Sequence, residues 1–248
     1  MSALEAELHK ATALWTEIDL AMTASNRILL WGPPGTGKSY AGASTKGDLF
    51  RLYLTLDTPG SEIRGHYLPS EAGGFAWHDG PATRAWRTGG RLVIDEIDAA
   101  SGDTMTLLLG YLDDMASARM TLPSNETVLP HAGFSCVATT NQLPTVIPEA
   151  LLDRFEVIIQ VTAPNPAAFN PALWHSPVVC ETAKRVVYGS TGNKPKARSG
   201  RPIGLRNFRA IDKMMARGGL DLGSAATLVL GAEAAQWLVH ALRIAEAA

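Results

Sequence analysis

The chain has 248 residues, 46% of them hydrophobic and 19% charged. That balance suits one large or two small globular domains and excludes an intrinsically disordered chain. Its 22 basic and 24 acidic residues leave a net charge of −2, so no strong overall field draws it to polyanions. Glu5 and Glu7 stand where an export leader carries positive charge, and the apolar stretch 224–242 is interrupted by Glu233, Gln236 and His240. We therefore expect no leader, no membrane span and a cytoplasmic protein. Cys136 and Cys180 make no disulfide framework, and no CxxC or HExxH spacing offers a zinc site.

In chain order, Leu4, Leu8, Ala11, Trp15, Ile18 and Met22 recur at steps of three and four, which predicts an amphipathic N-terminal helix. Five β-rich runs follow: Arg27–Trp31, Leu49–Asp57, Arg91–Asp98, Phe134–Asn141 and Phe155–Thr162. Helix-length segments lie between them, at Lys38–Lys46, Pro81–Thr88, Gly102–Ala116 and Pro148–Asp153. Strands alternating with helices imply an α/β fold with a parallel sheet covered on both faces, and the runs Leu92-Val-Ile94 and Val157-Ile-Ile159 are as apolar as buried parallel strands require. Prolines at 164, 166 and 171 break this pattern, and the remainder reads as helices at Pro177–Tyr188, Gly204–Arg217, Gly223–Leu230 and Ala232–Ala247. We expect a core over 1–162, its first 25 residues the N-terminal helix, and a small helical domain over 163–248.

Five features carry the chemistry. Gly32-Pro33-Pro34-Gly35-Thr36-Gly37-Lys38-Ser39 matches GxxxxGK[ST] in full and sits between a strand and a helix. Its backbone amides would cradle phosphate oxygens, Lys38 would reach the β- and γ-phosphates, and Ser39, followed by Tyr40, would place its hydroxyl on Mg2+. In Leu92-Val-Ile-Asp95-Glu96-Ile-Asp98, a hydrophobic strand ends in adjacent acids. Asp95 would help hold Mg2+ and Glu96 would polarise the attacking water. Asn141, at the end of Cys136-Val-Ala-Thr-Thr, would bond that water or the γ-phosphate. Arg154, between a short helix and a strand, is a rigid cation that could act on a neighbouring subunit's γ-phosphate. Arg206 in Gly204-Leu-Arg could close over the nucleotide from the helical domain, with Arg201 and Arg209 as nearby competitors.

In this order the five features resemble the AAA+ ATPases: Walker A, Walker B, sensor 1 at Asn141, the arginine finger at Arg154 and sensor 2 at Arg206. Within that class the chain is similar to the MoxR and dynein-related group, including activators of the CbbQ/NorQ type. The likeness is carried by 81–95, by the helix and hairpin of 107–130, and by Ala150-Leu-Leu-Asp-Arg-Phe155. The resemblance implies a P-loop AAA+ core, with a five-stranded parallel sheet between helices and a small C-terminal all-helical lid. It further implies ATP and Mg2+ as ligands and a homo-oligomeric ring, usually a hexamer, in which Arg154 acts in trans. The ring would remodel a protein client or a partner with a von Willebrand A domain. In such rings the segment Ser61–Pro69 carries a pore-facing loop, where Tyr67 would grip a chain; a packed loop aromatic is the other reading.

One stretch favours a rival. Residues 184–217 hold ten basic residues (Lys184, Arg185, Lys194, Lys196, Arg198, Arg201, Arg206, Arg209, Lys213 and Arg217) against the single acid Asp212. Such a patch can bind nucleic-acid phosphates, as a loader or motor would. Against this, the stretch holds only Tyr188 and Phe208 as aromatics and so shows no regular interleaving of aromatic with basic residues, and a basic lid beside ATP accounts for the charge.

Overall fold

A computed structural model describes residues 2–71, 73–189, 196–198, 200 and 202–246, with the backbone alone for 241–246. Two compact units are present: residues 17–161, and residues 1–16 together with 162–248. The opening helix α1 (Ala3–Ala24) contributes to both. Sequence reading had placed all of it with the α/β core. Leu4, Leu8 and Ala11 instead pack into the core of the C-terminal unit, and the Trp15 indole N–H donates to Ala163 O at 3.0 Å.

The larger unit is built on a parallel sheet. Its strands are β1 (Arg27–Trp31), β2 (Leu49–Tyr53), β5 (Arg91–Asp95), β8 (Ser135–Thr140) and β9 (Val157–Gln160), in the order β2-β5-β8-β1-β9. Leu29, Leu30, Leu92, Val93, Ile94, Val137 and Ala138 are buried, because the three central strands are covered on both faces. Edge strand β2 alternates: Leu52 is buried, whereas Leu49, Arg51 and Tyr53 are exposed. The covering helices are α2 (Lys38–Ala43), α4 (Pro81–Thr88), α5 (Gly102–Tyr111) and the single turn α6 (Glu149–Leu152).

Several elements are shorter than their sequence patterns. α5 stops at Tyr111 because Asp114 turns the chain, its carboxylate accepting from Ala116 N at 2.9 Å. β2 stops at Tyr53, where the Thr58 hydroxyl accepts from Thr55 N and ties a turn. The interval after β2, read from sequence as a loop, contains α3 (Gly60–Arg64) and an antiparallel hairpin of β3 (Gly65–Pro69) and β4 (Phe75–Asp79). A second hairpin, β6 (Met120–Thr121) with β7 (Thr127–Val128), lies where the sequence resemblance put one.

Trp86 anchors the hydrophobic core, edge-on to Tyr111 and Phe134, and its indole N–H donates to Tyr111 O at 3.1 Å. The Thr83 hydroxyl donates its one proton to Arg64 O at 2.6 Å, so in the Thr83–Tyr111 hydroxyl pair, at 2.5 Å, Tyr111 is the donor. Burial pushes the Tyr111 phenol up to about 12.

In the smaller unit α7 (Pro177–Tyr188), α8 (Leu205–Gly218), α9 (Leu222–Leu230) and α10 (Ala232–Glu246) enclose Phe169, Phe208, Ile211 and Leu230. Its one acid within 184–217, Asp212, is buried and accepts from the backbone N–H of His175 and Ser176 at the start of α7. Among the described residues no helix is long and apolar enough to cross a membrane. Cys136 and Cys180 are both buried free thiols.

Candidate functional site

The carboxyl ends of β1, β5 and β8 lie side by side, and β1 is where the strand order reverses, the position at which open α/β sheets take ligands. The glycine-rich loop leaves β1 at Gly32, whose φ is +135°, and turns again at Gly35, with φ +82°. At Gly32 a side chain has no room, since a Cβ would lie 2.6 Å from Val161 O. The Thr36 hydroxyl donates to Pro33 O at 3.0 Å and braces the curl. Gly37 then caps α2, which begins at Lys38 and ends at Ala43 rather than Lys46. The helix is only six residues long, so its dipole is weaker than the sequence pattern implies, and anion attraction falls chiefly to the loop amides and Lys38.

Lys38 is 6% exposed. Its ammonium donates to Gly32 O at 2.7 Å, Pro33 O at 2.9 Å and Asn141 Oδ1 at 2.8 Å. The same Asn141 donates through Nδ2 to Glu96 Oε1 at 2.7 Å. The first residue of α2 and the residues that follow two strand ends thus form one chain of hydrogen bonds: Lys38, Asn141, Glu96. Glu96 lies in left-handed backbone, φ 58° and ψ 51°, a conformation that costs a non-glycine residue about 1–2 kcal/mol. Beside it Asp98 accepts from the Thr140 hydroxyl at 2.5 Å, tying the turn after β5 to the end of β8.

Asp95 is buried. Burial opposes its ionisation, but hydrogen bonds from Ser39, Arg51 and Thr139, with the Arg51 charge, outweigh it and hold the carboxyl below the usual carboxylate range. The Thr139 hydroxyl is 3.0 Å from Oδ1 and Arg51 Nη2 is 2.6 Å from Oδ2. An ionised carboxylate bonded to a serine hydroxyl is a hard oxygen donor set, of the kind Mg2+ prefers.

Sequence reasoning missed Thr139 and Arg51. Thr139 had a signal, being two residues before Asn141 and therefore on the same face of the strand. Arg51 had none, because nothing in the sequence orders β2 next to β5.

The remaining candidates lie elsewhere. Tyr40 is exposed on the first turn of α2. Arg154 follows α6; its Nη1 donates to Ala150 O at 2.7 Å and its Nη2 lies 3.8 Å from Asp113 Oδ1, while its Nε is buried with no partner among the described residues. None of these contacts joins it to Lys38, Asn141 or Glu96. Tyr67 is 46% exposed on β3, stacked edge-on against Trp77, and its hydroxyl donates to Pro123 O at 3.4 Å in the neighbouring hairpin.

Arg206 belongs to the other unit, where it is exposed in the first turn of α8 and makes no hydrogen bond or ion pair among the described residues. Its competitor Arg209 is committed to packing: the guanidinium lies 4.0 Å from the centre of the Trp174 ring and donates to Leu173 O and Ala168 O. Arg201 and Lys194 lie outside the described residues.

A glycine loop after the first strand, an acidic end on the third main strand and an asparagine between them define a P-loop α/β fold with a separate helical lid unit. Residues 27–155 match the dynein-related subfamily of AAA domains. That span is more than half of the chain, and the chain belongs to this family. It is 31% identical over 151 residues to YojN of Bacillus subtilis, covering 56% of this chain and 49% of that protein. It is 34% identical over 142 residues to a Lon protease of Clostridium beijerinckii, with 53% and 17% covered, and 34% identical over 121 residues to NorQ of Paracoccus denitrificans, with 46% and 43% covered. The chain spans about half the length of these curated relatives, or less.

Proposed function

We propose that this chain binds ATP with Mg2+ at the phosphate loop and hydrolyses it as one subunit of a homo-oligomeric ring, using the cycle to remodel a protein client or a partner with a von Willebrand A domain. One observation carries the catalytic part: the hydrogen-bonded chain Lys38–Asn141–Glu96. Through Asn141 it joins Lys38, in this reading the phosphate-binding group, to Glu96, in this reading the acceptor of the water's proton.

In this reading the amides of Gly35 to Ser39 and the Lys38 ammonium hold the β- and γ-phosphates. Ser39 and Asp95 are the residues that would hold Mg2+, which supplies charge neutralisation on the phosphate oxygens when bound. Glu96 orients a water and takes its proton as the water oxygen bonds to the γ-phosphorus and the bond to the β–γ bridging oxygen breaks, leaving ADP and phosphate. Asn141, bonded to both Lys38 and Glu96, registers γ-phosphate loss as a change in its own partners.

Arg154 is the candidate finger in trans. It is held by Ala150 and Asp113 in its own chain and shares no contact with the Lys38–Glu96 group among the described residues, which suits a role on a neighbour's γ-phosphate. Arg206, exposed and unpaired among the described residues, is the lid candidate for the chain's own nucleotide.

A nucleic-acid surface over 184–217 is less well supported. Arg209 is tied to Trp174 and two carbonyls, and Arg185 pairs with Glu181 at 3.2 Å, so part of the charge counted in the sequence is spoken for internally.

The test is a pair of substitutions in the assembled protein. Lys38→Ala is expected to abolish nucleotide binding, and Glu96→Gln to bind ATP while turning it over at least about 100-fold more slowly. Unchanged ATP affinity in the first removes the phosphate-loop assignment, and normal turnover in the second removes Glu96 as the base.

A further inference from the structure

Arg51 is a cation placed where the proposed function calls for a metal. It lies on the edge strand β2 opposite Val93, and alternation along β5 puts Val93 and Asp95 on one face, so Arg51 reaches two residues along its neighbour to Asp95 Oδ2 at 2.6 Å. The pair is asymmetric, with the Asp95 side chain 8% exposed and that of Arg51 52% exposed. The carboxylate is fixed and desolvated, whereas the guanidinium can withdraw into water at little cost. Asp95's other oxygen is engaged by Thr139, and Ser39 bonds the same carboxylate. The Arg51 side of Asp95 is therefore the side from which a competing cation can enter.

We propose that Arg51 is the resting counter-ion of Asp95 and sets the Mg2+ concentration at which the phosphate loop takes up nucleotide. This rests on reading the loop as a Mg-nucleotide site. A buried carboxylate left without a positive partner is costly, so Arg51 stabilises Asp95 while the metal is away. If Asp95 is to hold a metal on this side the guanidinium would have to leave, and its hydrogen bond would enter the apparent metal affinity as a competitor. A charge-assisted hydrogen bond with one half-exposed partner corresponds to an effect of about 3- to 10-fold. Arg51 thus acts as a positioning residue that raises the metal threshold while keeping the Asp95 carboxylate aligned in the metal's absence.

The experiment is a fluorescence titration of the full chain with N-methylanthraniloyl-ADP, at increasing MgCl2 and in EDTA, for wild type, Arg51→Gln and Arg51→Lys. With Arg51→Gln the half-saturating Mg2+ concentration should fall about 3- to 10-fold, while nucleotide affinity in EDTA should also fall, because an uncompensated carboxylate then faces the phosphates. Arg51→Lys, which keeps the charge but lacks the planar fork, should lie between. It also guards against misreading a folding defect, since circular dichroism can match the three proteins first. An unmoved or raised Mg2+ midpoint in Arg51→Gln, with binding otherwise intact, overturns the Arg51 inference and leaves the phosphate site standing. Failure of wild type to bind the nucleotide at any Mg2+ concentration overturns the site and the inference together.

Discussion

Two glycines in one loop should respond very differently to the same added methyl group. At Gly32 the backbone has φ +135°, and a Cβ would stand 2.6 Å from Val161 O and 3.3 Å from its carbonyl carbon. Those atoms cannot yield easily, because Val161 N donates to Trp31 O at 2.7 Å and so continues the β1–β9 ladder. Gly32→Ala therefore combines a glycine-only backbone, about 1–3 kcal/mol, with overpacking against main chain, about 1–3 kcal/mol, for a total near 4 kcal/mol. Gly35 has φ +82° but no atom of the described residues within 4 Å of its hypothetical Cβ, leaving only the left-handed cost of about 1 kcal/mol. For a chain of this size each kcal/mol moves the thermal midpoint by roughly 2–4 °C. Gly32→Ala should therefore melt roughly 8–16 °C below wild type, and Gly35→Ala only roughly 2–4 °C below. Calorimetry of the three proteins side by side reads this directly. Equal losses, or a larger loss at Gly35, would refute the close approach of the loop to the end of β9.

Two more expectations concern distant parts of the molecule. Arg154→Ala should lose turnover when alone in the ring and regain part of it when mixed with Lys38→Ala subunits, since each variant supplies what the other lacks; an ATPase assay of mixed rings that shows no rescue argues against a trans finger. Tyr111→Phe should destabilise the larger unit by about 1–2 kcal/mol, because the Thr83 hydroxyl loses its donor. The phenol's pKa lies above its ordinary value of 10.0, at about 12, so its contribution is fully present below pH 10 and lost as pH rises through 12. Urea unfolding at pH 8 and pH 10.5 should show the gap between wild type and Tyr111→Phe narrowing at the higher pH, and a constant gap would contradict the buried, neutral tyrosine.

What the sequence made legible depended on how local the cause was. Pro81–Thr88 is a helix from its first to its last predicted residue, with proline at the start and Gly89 in left-handed backbone at the end, both short-range signals. The loop from Gly32 to Ser39 was readable because its geometry follows from its own glycines. The β3–β4 hairpin was not seen: its strands are five residues each, and Gly65, Pro69, Gly73 and Gly74 punctuate them as a loop would be punctuated. The N-terminal helix was seen, but its periodicity says only that one face is covered, not by which unit. Asp95, Glu96 and Asn141 were identified as separate strand ends, and their union through Lys38 required the strand order. Arg51 lay beyond reach for the same reason, as a charged residue on an exposed edge is ordinarily no more than solvated surface.

The backbone at Glu96 gives this site a further property. Left-handed conformation favours glycine or asparagine, so the position that holds the acid is one where the fold alone would choose a different residue. A programme of substitutions ranked purely by thermal resistance would select Glu96→Gly, gain about 1 kcal/mol, and delete the carboxylate that meets Asn141. Robustness and chemistry pull in opposite directions at this residue, and a hardier variant of the chain is best sought away from the turn that follows β5.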